Sequence, residues 1–553
     1  MNWKELYALV NENIKNAVSG LYKPAGDVTF AELPELSQSV LGYTYTVTDA
    51  FTTDSRFTDY DTETQTGHSF PADTEVAVIV TGTTENPVYM FNVMGGIMDG
   101  YATKADLNDY VQKEQGKGLS SNDFTDAEKQ KLDGIINDNT IASDSTYSSS
   151  KIYSIFESLS NPVFGFIEHL DVLAPSQRIE ATDANIYYTN LTVDKTNGTY
   201  DLGGWYDFQW LKDNLPYMVH ADGTVDYQLD PTDYEKKLDG TASDVSNQNY
   251  EGGAFSWAGR IYKYEKRDGN KRIVKFSMIP RPGFEPVGFK NPDGTIVAGR
   301  WIPMFYASVI NGKATCIAGT QPSYSITTEQ QKNALTALDE DAFFFGGSFV
   351  ETLIDLLYMF TGTTDIEGAL GYGNRSGYVN DSSVYYGVLA NAVVGGGQFY
   401  GTTGGKSLNK IFHSIVLGSY QQWMRDPYEL VVAGRVKVSK DYTYDLTGAQ
   451  YADTDIDVPN GTSSWKYVLD YITIDEHGSV PDITKTGGST STGACDGTYT
   501  RADQTSVTAV SLRFGGCSSG AAVGVRARGW YSTAGFTHWD IGFAALLSSP
   551  VAP

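Results

Sequence analysis

The hydrophobic pattern predicts that the chain opens with an amphipathic helix over residues 1–21. Its apolar positions recur every three or four residues, the spacing that places side chains on one helix face. They are Trp3, Leu6, Val10, Ile14, Val18 and Leu21. This face either packs on the helix's own domain or docks on another chain, and the pattern favours neither alternative.

From residue 22 to residue 100 the pattern changes to short strands separated by turns rich in Gly, Asp and Pro. Residues 43–48 alternate aromatic or apolar side chains with Thr, which is typical of a half-buried strand. Residues 75–80 form a short apolar run that indicates a fully buried strand. The sequence therefore predicts a small β-domain over residues 22–100.

Residues 101–160 contain three short helical segments, of which the second begins at a capping box of Thr125 and Glu128. Isolated helices shorter than about 12–15 residues are marginal in water. We therefore expect the apolar faces to pack against the same segment of other copies, which makes this region a stalk. One heptad cannot define a coiled coil, so the pattern leaves the number of copies open. The predicted contact positions are Leu107, Val111, Leu132, Ile135, Ile152, Ile155 and Leu159.

Residues 161–553 show no clear break and predict one large α+β domain. A hairpin is predicted over residues 260–277, with Asp268 and Gly269 in its turn. One helix is predicted over residues 327–338. The apolar face of a second helix is formed by Phe349, Leu353, Leu356, Leu357 and Phe360. Strands are predicted again at residues 510–514, 521–528 and 539–547, so the predicted fold class is mostly β with α.

The composition narrows the range of partners. The formal net charge is −27, from 40 Lys and Arg residues against 67 Asp and Glu residues. Because a nucleic-acid partner requires a basic face, this balance argues against binding DNA or RNA. The sequence has no apolar stretch of about 18 residues, so no membrane insertion is expected. We also expect that the N-terminus is not a signal peptide, since it lacks the basic and apolar regions of one.

The three cysteines, Cys316, Cys495 and Cys517, form no CxxC pair and no metal-ligand spacing. We expect them to be small buried side chains, with a disulfide between Cys495 and Cys517 as the alternative.

The motif search predicts a protein that is not an enzyme and that uses no metal and no cofactor. Residues 516–520 match GxSxG around Ser518, but a nucleophile elbow requires a helix to follow, and the sequence indicates a strand there. Residues 400–407 lack the first glycine of a phosphate-binding loop. Asp453, Asp455 and Asp457 indicate a solvated strand edge. Glu351 and Asp355 lie one helical turn apart, which we interpret as a solvated helix face.

Arginine and aromatic side chains are concentrated near the C-terminus. Aromatic rings stack on sugar faces, and arginines donate to carboxylates and hydroxyls. The candidate ligand-binding residues in this region are Arg526, Arg528, Trp530, Tyr531 and His538. Trp539 is instead expected to belong to the core.

Several phrases of the sequence resemble phage fibre proteins. Residues 116–129 (GKGLSSNDFTDAEK) closely resemble a linker of such fibres, podovirus head fibres included. Residues 22–34 (YKPAGDVTFAELP) and Val47 to Asp49 are similar to the β-module that precedes this linker, and residues 146–152 (TYSSSKI) are a further fibre-like phrase. The C-terminal block resembles the C-type-lectin-like domains of phage fibres and of diversity-generating systems, through LRFGG at 512–516, VRARGW at 525–530 and IGFA at 541–544. Ala544 departs from that pattern, where an arginine often stands.

The likeness is strongest to the trimeric head fibres of crAss-like gut phages, and it implies a homotrimeric structural protein on the virion exterior. The expected attachment to capsid or other virion proteins is through the N-terminus, with Trp3, Leu6 and Val10. The C-terminal domain is expected to bind host-surface glycans, and three sites on one stalk raise the apparent affinity. Attachment to the phage head is preferred over attachment to the tail. The alternatives are a tail fibre, a tail-associated polysaccharide depolymerase, and a decoration without a ligand.

Overall fold

The structure is a computed structural model that describes residues 23–83, 86–94, 162–194, 199–375, 399–403, 406–549 and 551–553. The chain divides into two compact units, Met1–Ser145 and Thr146–Pro553. The division falls inside the segment predicted as a stalk. The predicted helix with Trp3, Leu6 and Val10 lies outside the described residues. So do the predicted stalk positions Leu107, Val111, Leu132, Ile135, Ile152, Ile155 and Leu159.

The described part of the first unit is a small β-structure. Its strands are β1 (Lys23–Val28), β2 (Tyr43–Val47), β3 (Phe51–Thr52), β4 (Ser69–Phe70), β5 (Thr74–Thr83) and β6 (Asn86–Val93). One sheet has the order β1-β2-β5-β6, with β1 parallel to β2 and the other pairs antiparallel. Its core includes Val47, Phe57, Val76 and Phe91, all buried. The strands predicted at residues 43–48 and 75–80 are confirmed as β2 and β5.

The second unit is also mostly β. Its first strands are β7 (Phe164–His169), β8 (Ile179–Asp183), β9 (Thr192–Asp194), β10 (Thr199–Asp201), β11 (Pro216–His220), β12 (Val225–Asp230), β13 (Asp233–Lys237), β14 (Gly252–Gly259), β15 (Tyr262–Asp268), β16 (Lys271–Ser277), β17 (Gly299–Pro303), β18 (Ser308–Ile310), β19 (Lys313–Thr315) and β20 (Phe343–Phe344).

The later strands are β21 (Phe399–Thr403), β22 (Lys406–Asn409), β23 (Trp423–Val432), β24 (Arg435–Val438), β25 (Ala452–Asp457), β26 (Ser464–Tyr467), β27 (Tyr471–Ile474), β28 (Gly478–Pro481), β29 (Gly497–Thr500), β30 (Thr508–Arg513), β31 (Arg528–Thr533), β32 (Ile541–Gly542) and β33 (Ala545–Ser549). The helices are α1 (Pro175–Arg178), α2 (Gln209–Asp213), α3 (Thr328–Leu338), α4 (Gly347–Thr361), α5 (Ile366–Leu370) and α6 (Ile415–Gly418).

Three larger sheets organise the second unit. An antiparallel sheet has the order β13-β12-β11-β14-β17-β33-β20. The last strand, β33, therefore lies inside this sheet rather than at its edge. A second antiparallel sheet has the order β15-β16-β7-β8. The third has the order β25-β24-β23-β30-β31-β29-β26, with β32 added parallel to β23 and with β29 parallel to β31. We call these the seven-stranded, four-stranded and C-terminal sheets.

Helix α4 lies in the interior, where every one of its residues is buried. It lies against β8, β23 and β28 and therefore contacts both the four-stranded and the C-terminal sheet. The loop before β17 approaches it so closely that a Cβ on Gly288 would lie 2.5 Å from the Cα of Phe349. Gly288 also has φ +89°, a conformation that glycine adopts without strain. The helix is therefore enclosed on all sides.

Most predicted elements of this unit are confirmed. Helix α3 begins after Thr327, whose side chain accepts a hydrogen bond from the Gln330 backbone, and α4 matches the predicted apolar face. The hairpin is β15 and β16, although its two turn residues are Gly269 and Asn270. The strand predicted over 521–528 is wrong: a 3-10 turn occupies Gly520–Ala522, and β31 begins at Arg528. The strand predicted over 539–547 is divided into β32 and β33.

Candidate functional site

Glu351 and Asp355 on helix α4 are fully buried, so the prediction of a solvated helix face is wrong. The reason is that apolar side chains cover the rest of the helix surface and leave it no exposed side. Two carboxylates one turn apart then require cations from neighbouring elements, because an isolated buried charge is strongly unfavourable.

The C-terminal sheet and the turn before β31 supply the cations for Glu351. Its Oε1 accepts hydrogen bonds from the guanidinium groups of Arg513 and Arg528, and its Oε2 lies 3.4 Å from Nη1 of Arg526. Burial raises the pKa of Glu351, but the positive charges of Arg528, Arg513 and Arg526 outweigh burial and hold the pKa at about 2. Glu351 is therefore ionised at neutral pH.

The four-stranded sheet supplies most of the cations for Asp355. Its Oδ2 lies 2.6 Å from Nη2 of Arg272 and 2.6 Å from Nζ of Lys263. Its Oδ1 lies 2.9 Å from Nη2 of Arg526. Arg526 thus contacts both carboxylates of α4, and its guanidinium also lies 4.5 Å from the centre of the Tyr471 ring.

The pairs extend into one buried network of six carboxylates and six cations. Its members are Glu168, Glu265, Glu351, Asp355, Asp426 and Glu429 with Arg178, Lys263, Arg272, Arg513, Arg526 and Arg528. The formal charges balance, which buried ions require. We call this set the charge network.

Three of the five residues predicted to bind a ligand lie in the interior instead, in or against the charge network. Arg526, Arg528 and Trp530 are at most 2% exposed, and Trp530 donates from Nε1 to Glu429 at 2.7 Å. Residues 528, 530 and 532 are buried whereas Tyr531 is half-buried, because successive side chains of a strand point to opposite faces. These two arginines and the tryptophan therefore hold the interior together rather than face a surface ligand. The sequence does contain a signal for the burial of these residues. A Glu and an Asp stand on an otherwise apolar helix and need cations in the interior.

Tyr531 and His538 instead belong to a continuous row of aromatic side chains, which we call the aromatic ridge. Neighbouring ring centres are 5.3 to 6.3 Å apart along the row. Its members are Trp423, Trp465, Tyr499, Tyr531, Phe536, His538 and Trp539. The sequence analysis named Tyr531, His538 and Trp539 but not Phe536, and it missed Trp423, Trp465 and Tyr499 because they come from distant strands.

Most of the ridge is accessible to solvent. Phe536 is 39% exposed and His538 is exposed, whereas Trp465, Tyr499, Tyr531 and Trp539 are half-buried and Trp423 is buried. Trp539, expected in the core, is thus only partly covered. Buried arginine supports the ridge, because Arg425 donates to the carbonyl oxygen of Phe536 at 2.8 Å.

His538 gives the ridge a titratable group. Its Nδ1 lies 2.5 Å from Oδ1 of Asp540. The hydrogen bond with Asp540 raises the pKa of His538 above its ordinary value, against the opposing effect of burial. The ridge thus combines flat apolar rings with one imidazole whose protonated form is favoured by a neighbouring carboxylate.

A groove of about 680 Å³ lies beside the end of the ridge. The backbone N–H of Ser325 donates to the carbonyl of His538 at 3.1 Å, which joins the groove's edge to the ridge. Its lining includes Gln321, Tyr324, Gln330 and Asn333. Amide side chains can donate and accept hydrogen bonds at the same time, so ridge and groove together suit a ligand that is rich in hydroxyl groups.

Two buried acids close to the charge network, Glu367 and Asp496, lie close together and have raised pKa values, in contrast to Glu351. A Cβ built on Gly524 would lie 2.1 Å from Oε1 of Glu367 and 2.3 Å from Oδ1 of Asp496, so both carboxyls converge there. Burial raises the pKa of Glu367 to about 7, although a hydrogen bond from Tyr420 opposes the shift. Burial and the neighbouring Glu367 raise the pKa of Asp496 well above its usual value. Both carboxyls therefore keep their protons to a higher pH than exposed acids do.

The other candidate sites do not gain support. Ser518 lies between β30 and a 3-10 turn, so the helix required by a nucleophile elbow is missing at this position. Residues 400–403 and 406–407 belong to β21 and β22, which pair with each other. Asp453, Asp455 and Asp457 are exposed along β25, within 3.5 to 3.7 Å of Arg435, which confirms the solvated edge. Among the described residues, no group of three or more His, Cys, Asp or Glu side chains is placed to hold a metal ion.

The three cysteines are buried and free, as expected for small core side chains, and the alternative disulfide is not formed. Within the described parts of the chain, no helix is long and apolar enough to cross a membrane.

Comparison with protein-family models and with curated protein sequences finds no match to this chain.

We predict that Glu351→Gln strongly destabilises the second unit. The change leaves Arg513 and Arg528 without a full counter-charge, and breaking a buried ion pair typically costs about 3–5 kcal/mol. Urea unfolding followed by tryptophan fluorescence measures the loss. The matched control is Glu340→Gln, at an exposed position, which should change stability by less than about 0.5 kcal/mol. A loss below about 1 kcal/mol for Glu351→Gln would show that the network does not support the fold.

We predict that Glu367→Gln reduces the pH dependence of stability. The folded pKa of Glu367, about 7, lies above its ordinary value of 4.5. Its stabilising contribution is therefore complete below the unfolded pKa and is lost as the pH rises through about 7, by up to about 1.4 kcal/mol per pH unit. Gln keeps the shape of the protonated carboxyl without titrating. Urea unfolding at several pH values from about 4.5 to 8 should give a flatter profile for the variant, and equal slopes for both proteins would contradict the assignment.

Proposed function

We propose that the chain is a homotrimeric structural fibre protein of a phage virion, which decorates the head and binds host-surface glycans. The aromatic ridge is the observation that carries the ligand class. A row of rings that is exposed at Phe536 and His538 and half-buried over most of its remaining length offers apolar contact, while the adjoining groove offers amide and hydroxyl groups. Sugars present the matching combination of apolar ring faces and hydroxyl groups.

The fibre-like phrases at residues 116–129 and 146–152 support the architecture. In this proposal residues 101–160 join three chains, and the helix over residues 1–21 attaches them to the capsid or another virion protein. The second unit is a C-type-lectin-like domain that faces outward, although Arg526, Arg528 and Trp530 serve its interior. Three weak ligand sites on one stalk then bind a repetitive glycan surface with increased apparent affinity.

The net charge of −27 fits this role. A strongly acidic surface remains soluble and repels anionic polymers. Contact with a glycan must therefore depend on stacking and hydrogen bonds rather than on attraction between opposite charges. The depolymerase alternative instead requires hydrolysis of the bound polysaccharide, so a binding assay alone does not distinguish the two functions.

The trimer predicts a solution mass of three times the 60.4 kDa chain. We expect Leu132→Asp to shift the protein to monomers in sedimentation equilibrium, because it places a charge in the predicted contact face. Lys131→Asp changes the charge in the same segment at a polar position and should leave the trimer intact. A monomeric wild-type protein would overturn the fibre architecture.

Glycan binding should depend on the rings of the ridge that solvent reaches, the half-buried Trp465 and Tyr499 included. We expect Trp465→Ala and Tyr499→Ala each to weaken binding about tenfold per site, since a lost stacking contact is worth up to about 1.5 kcal/mol. A bacterial glycan array with the full chain measures binding, and a reducing-end assay on the same samples detects cleavage.

The matched control is Tyr187→Ala, because Tyr187 is 89% exposed and lies outside the ridge. Its binding should equal that of the wild type. Equal loss in all three variants, or no binding by the wild type, would contradict the ridge as the ligand site. Release of reducing ends would instead establish the depolymerase function.

A further inference from the structure

The second unit contains a cavity of about 380 Å³ that is separate from the aromatic ridge. Most of its wall is apolar, including Leu191, Leu211, Leu357, Phe360, Leu370 and Phe412. Thr199 and Thr232 also line it and are exposed, so the cavity is accessible from solvent. Its volume falls within the range of small-molecule sites, about 300–1,000 Å³.

The polar side chains on one side of this cavity bond one another in a row. Nζ of Lys410 lies 3.3 Å from the Tyr234 hydroxyl, and the same hydroxyl lies 2.7 Å from Nδ1 of His413. Because the hydroxyl accepts from the amine, it directs its own proton to Nδ1. His413 is also hydrogen-bonded to the backbone of Asn214, and Lys410 has a further interaction within the protein. This row of polar groups is therefore satisfied without a ligand.

Three further polar side chains of the wall have partners as well. Asn214 donates to the Trp257 carbonyl at 2.8 Å, and Thr361 donates at 2.7 Å to the carbonyl one turn earlier in α4. The Tyr200 hydroxyl donates to the Lys410 carbonyl. A charged group that entered the cavity would thus lose its hydration while these wall groups remain bonded to one another, and burial of a charge on such terms is unfavourable.

A strained turn forms part of the wall. Ile411 and Ser414 bond each other's backbone groups at 2.9 and 3.0 Å, and the two central residues, Phe412 and His413, have φ of +51° and +61°. Glycine or asparagine is normally found at such positions, and strain of this kind persists only where the surroundings impose it. Here Ser256 donates to the Phe412 carbonyl at 2.6 Å. The fold therefore holds the Phe412 ring at the cavity against a conformational cost.

An apolar space of this volume is unusual inside a folded protein. Protein interiors contain few voids larger than a water molecule, and unfilled apolar volume destabilises a fold. Water does not fill such a space well, because a buried water requires polar partners and apolar cavities stay dry. The polar groups of this wall already bond one another, so the cavity favours an apolar occupant.

We propose that this cavity binds a neutral apolar molecule, which contacts the leucine and phenylalanine side chains and forms no ion pair with the wall. Removal of apolar surface from water supplies the affinity. A carboxylate in the same place gains no free cation, so an acid binds more weakly than an alcohol of equal length. The proposal does not depend on the aromatic ridge or on the fibre function.

Isothermal titration of the full chain with hexan-1-ol, octan-1-ol and decan-1-ol tests the proposal. We expect saturable binding at one site per chain, with affinity that rises about fourfold for each added methylene group. At about pH 8 decanoate is ionised and should bind at least about tenfold more weakly than decan-1-ol. No saturable binding of decan-1-ol by the wild type would overturn the proposal, and so would equal binding of decanoate.

Leu211→Trp fills part of the cavity with a larger apolar side chain. We expect it to weaken decan-1-ol binding by about tenfold or more, and thermal unfolding checks that the variant is folded. The matched control is Leu238→Trp, at a residue that is 61% exposed and outside the cavity, which should have no effect. Tyr234→Phe removes a hydroxyl that the ligand does not use, so binding should stay within about twofold of the wild type.

Full decan-1-ol binding by a folded Leu211→Trp protein would contradict the proposal, because the ligand would then lie elsewhere. An equally large loss in Tyr234→Phe would contradict it too, since the polar row would then carry the affinity. Leu370→Phe is a smaller enlargement at the same wall and provides the same test if Leu211→Trp does not fold. The ridge variants are independent of these outcomes.

Discussion

A helix that is buried on every side and carries two carboxylates has to receive its counter-charges from the elements around it. Helix α4 meets this constraint by taking cations from two different sheets. Glu351 pairs with Arg513 and Arg528 of the C-terminal sheet, and Asp355 pairs with Lys263 and Arg272 of the four-stranded sheet. Arg526 bonds both carboxylates. Because a buried ion is tolerated only with its partners in place, these contacts link the position of the helix to the positions of both sheets.

The need to pair the buried carboxylates also affects which side chains reach the surface. Along β31 the inward side chain of Arg528 belongs to the charge network and that of Trp530 donates to its member Glu429, while Tyr531 points to the opposite face and belongs to the aromatic ridge. One short strand thus contributes to the interior and to the candidate ligand surface. The position of the Tyr531 ring therefore depends on buried contacts on the other face of the same strand. A ring held in place loses little conformational freedom when it binds a ligand.

The pKa values of buried acids in this unit shift in opposite directions because their surroundings differ. Arginines surround Glu351 and hold its pKa at about 2, whereas burial outweighs the contacts of Glu367 and raises its pKa to about 7. The two environments are adjacent, since Asp496 accepts from the backbone N–H of Arg526 at 2.7 Å. The interior is thus stabilised by ionised groups in one region and by protonated groups in the next, so acid and alkaline conditions weaken different parts of it.

Local pattern determined much of the secondary structure: the strands β2 and β5, the hairpin of β15 and β16, and the helices α3 and α4 follow from periodicity, capping and turn residues. It also named Tyr531 and His538, which belong to the aromatic ridge, while their role in ligand binding stays a prediction. Prediction from local pattern failed wherever the structure depended on contacts between distant segments. The spacing of Glu351 and Asp355 is the same on an exposed and on a buried helix, and only the sheets packed around α4 decide that these acids are internal. Likewise Arg526, Arg528 and Trp530 resemble a binding cluster in sequence, and Trp465 and Tyr499 resemble ordinary strand residues. Side-chain direction is set by strand order and pairing across more than 100 residues, as between β23 and β32, and local sequence does not encode that order.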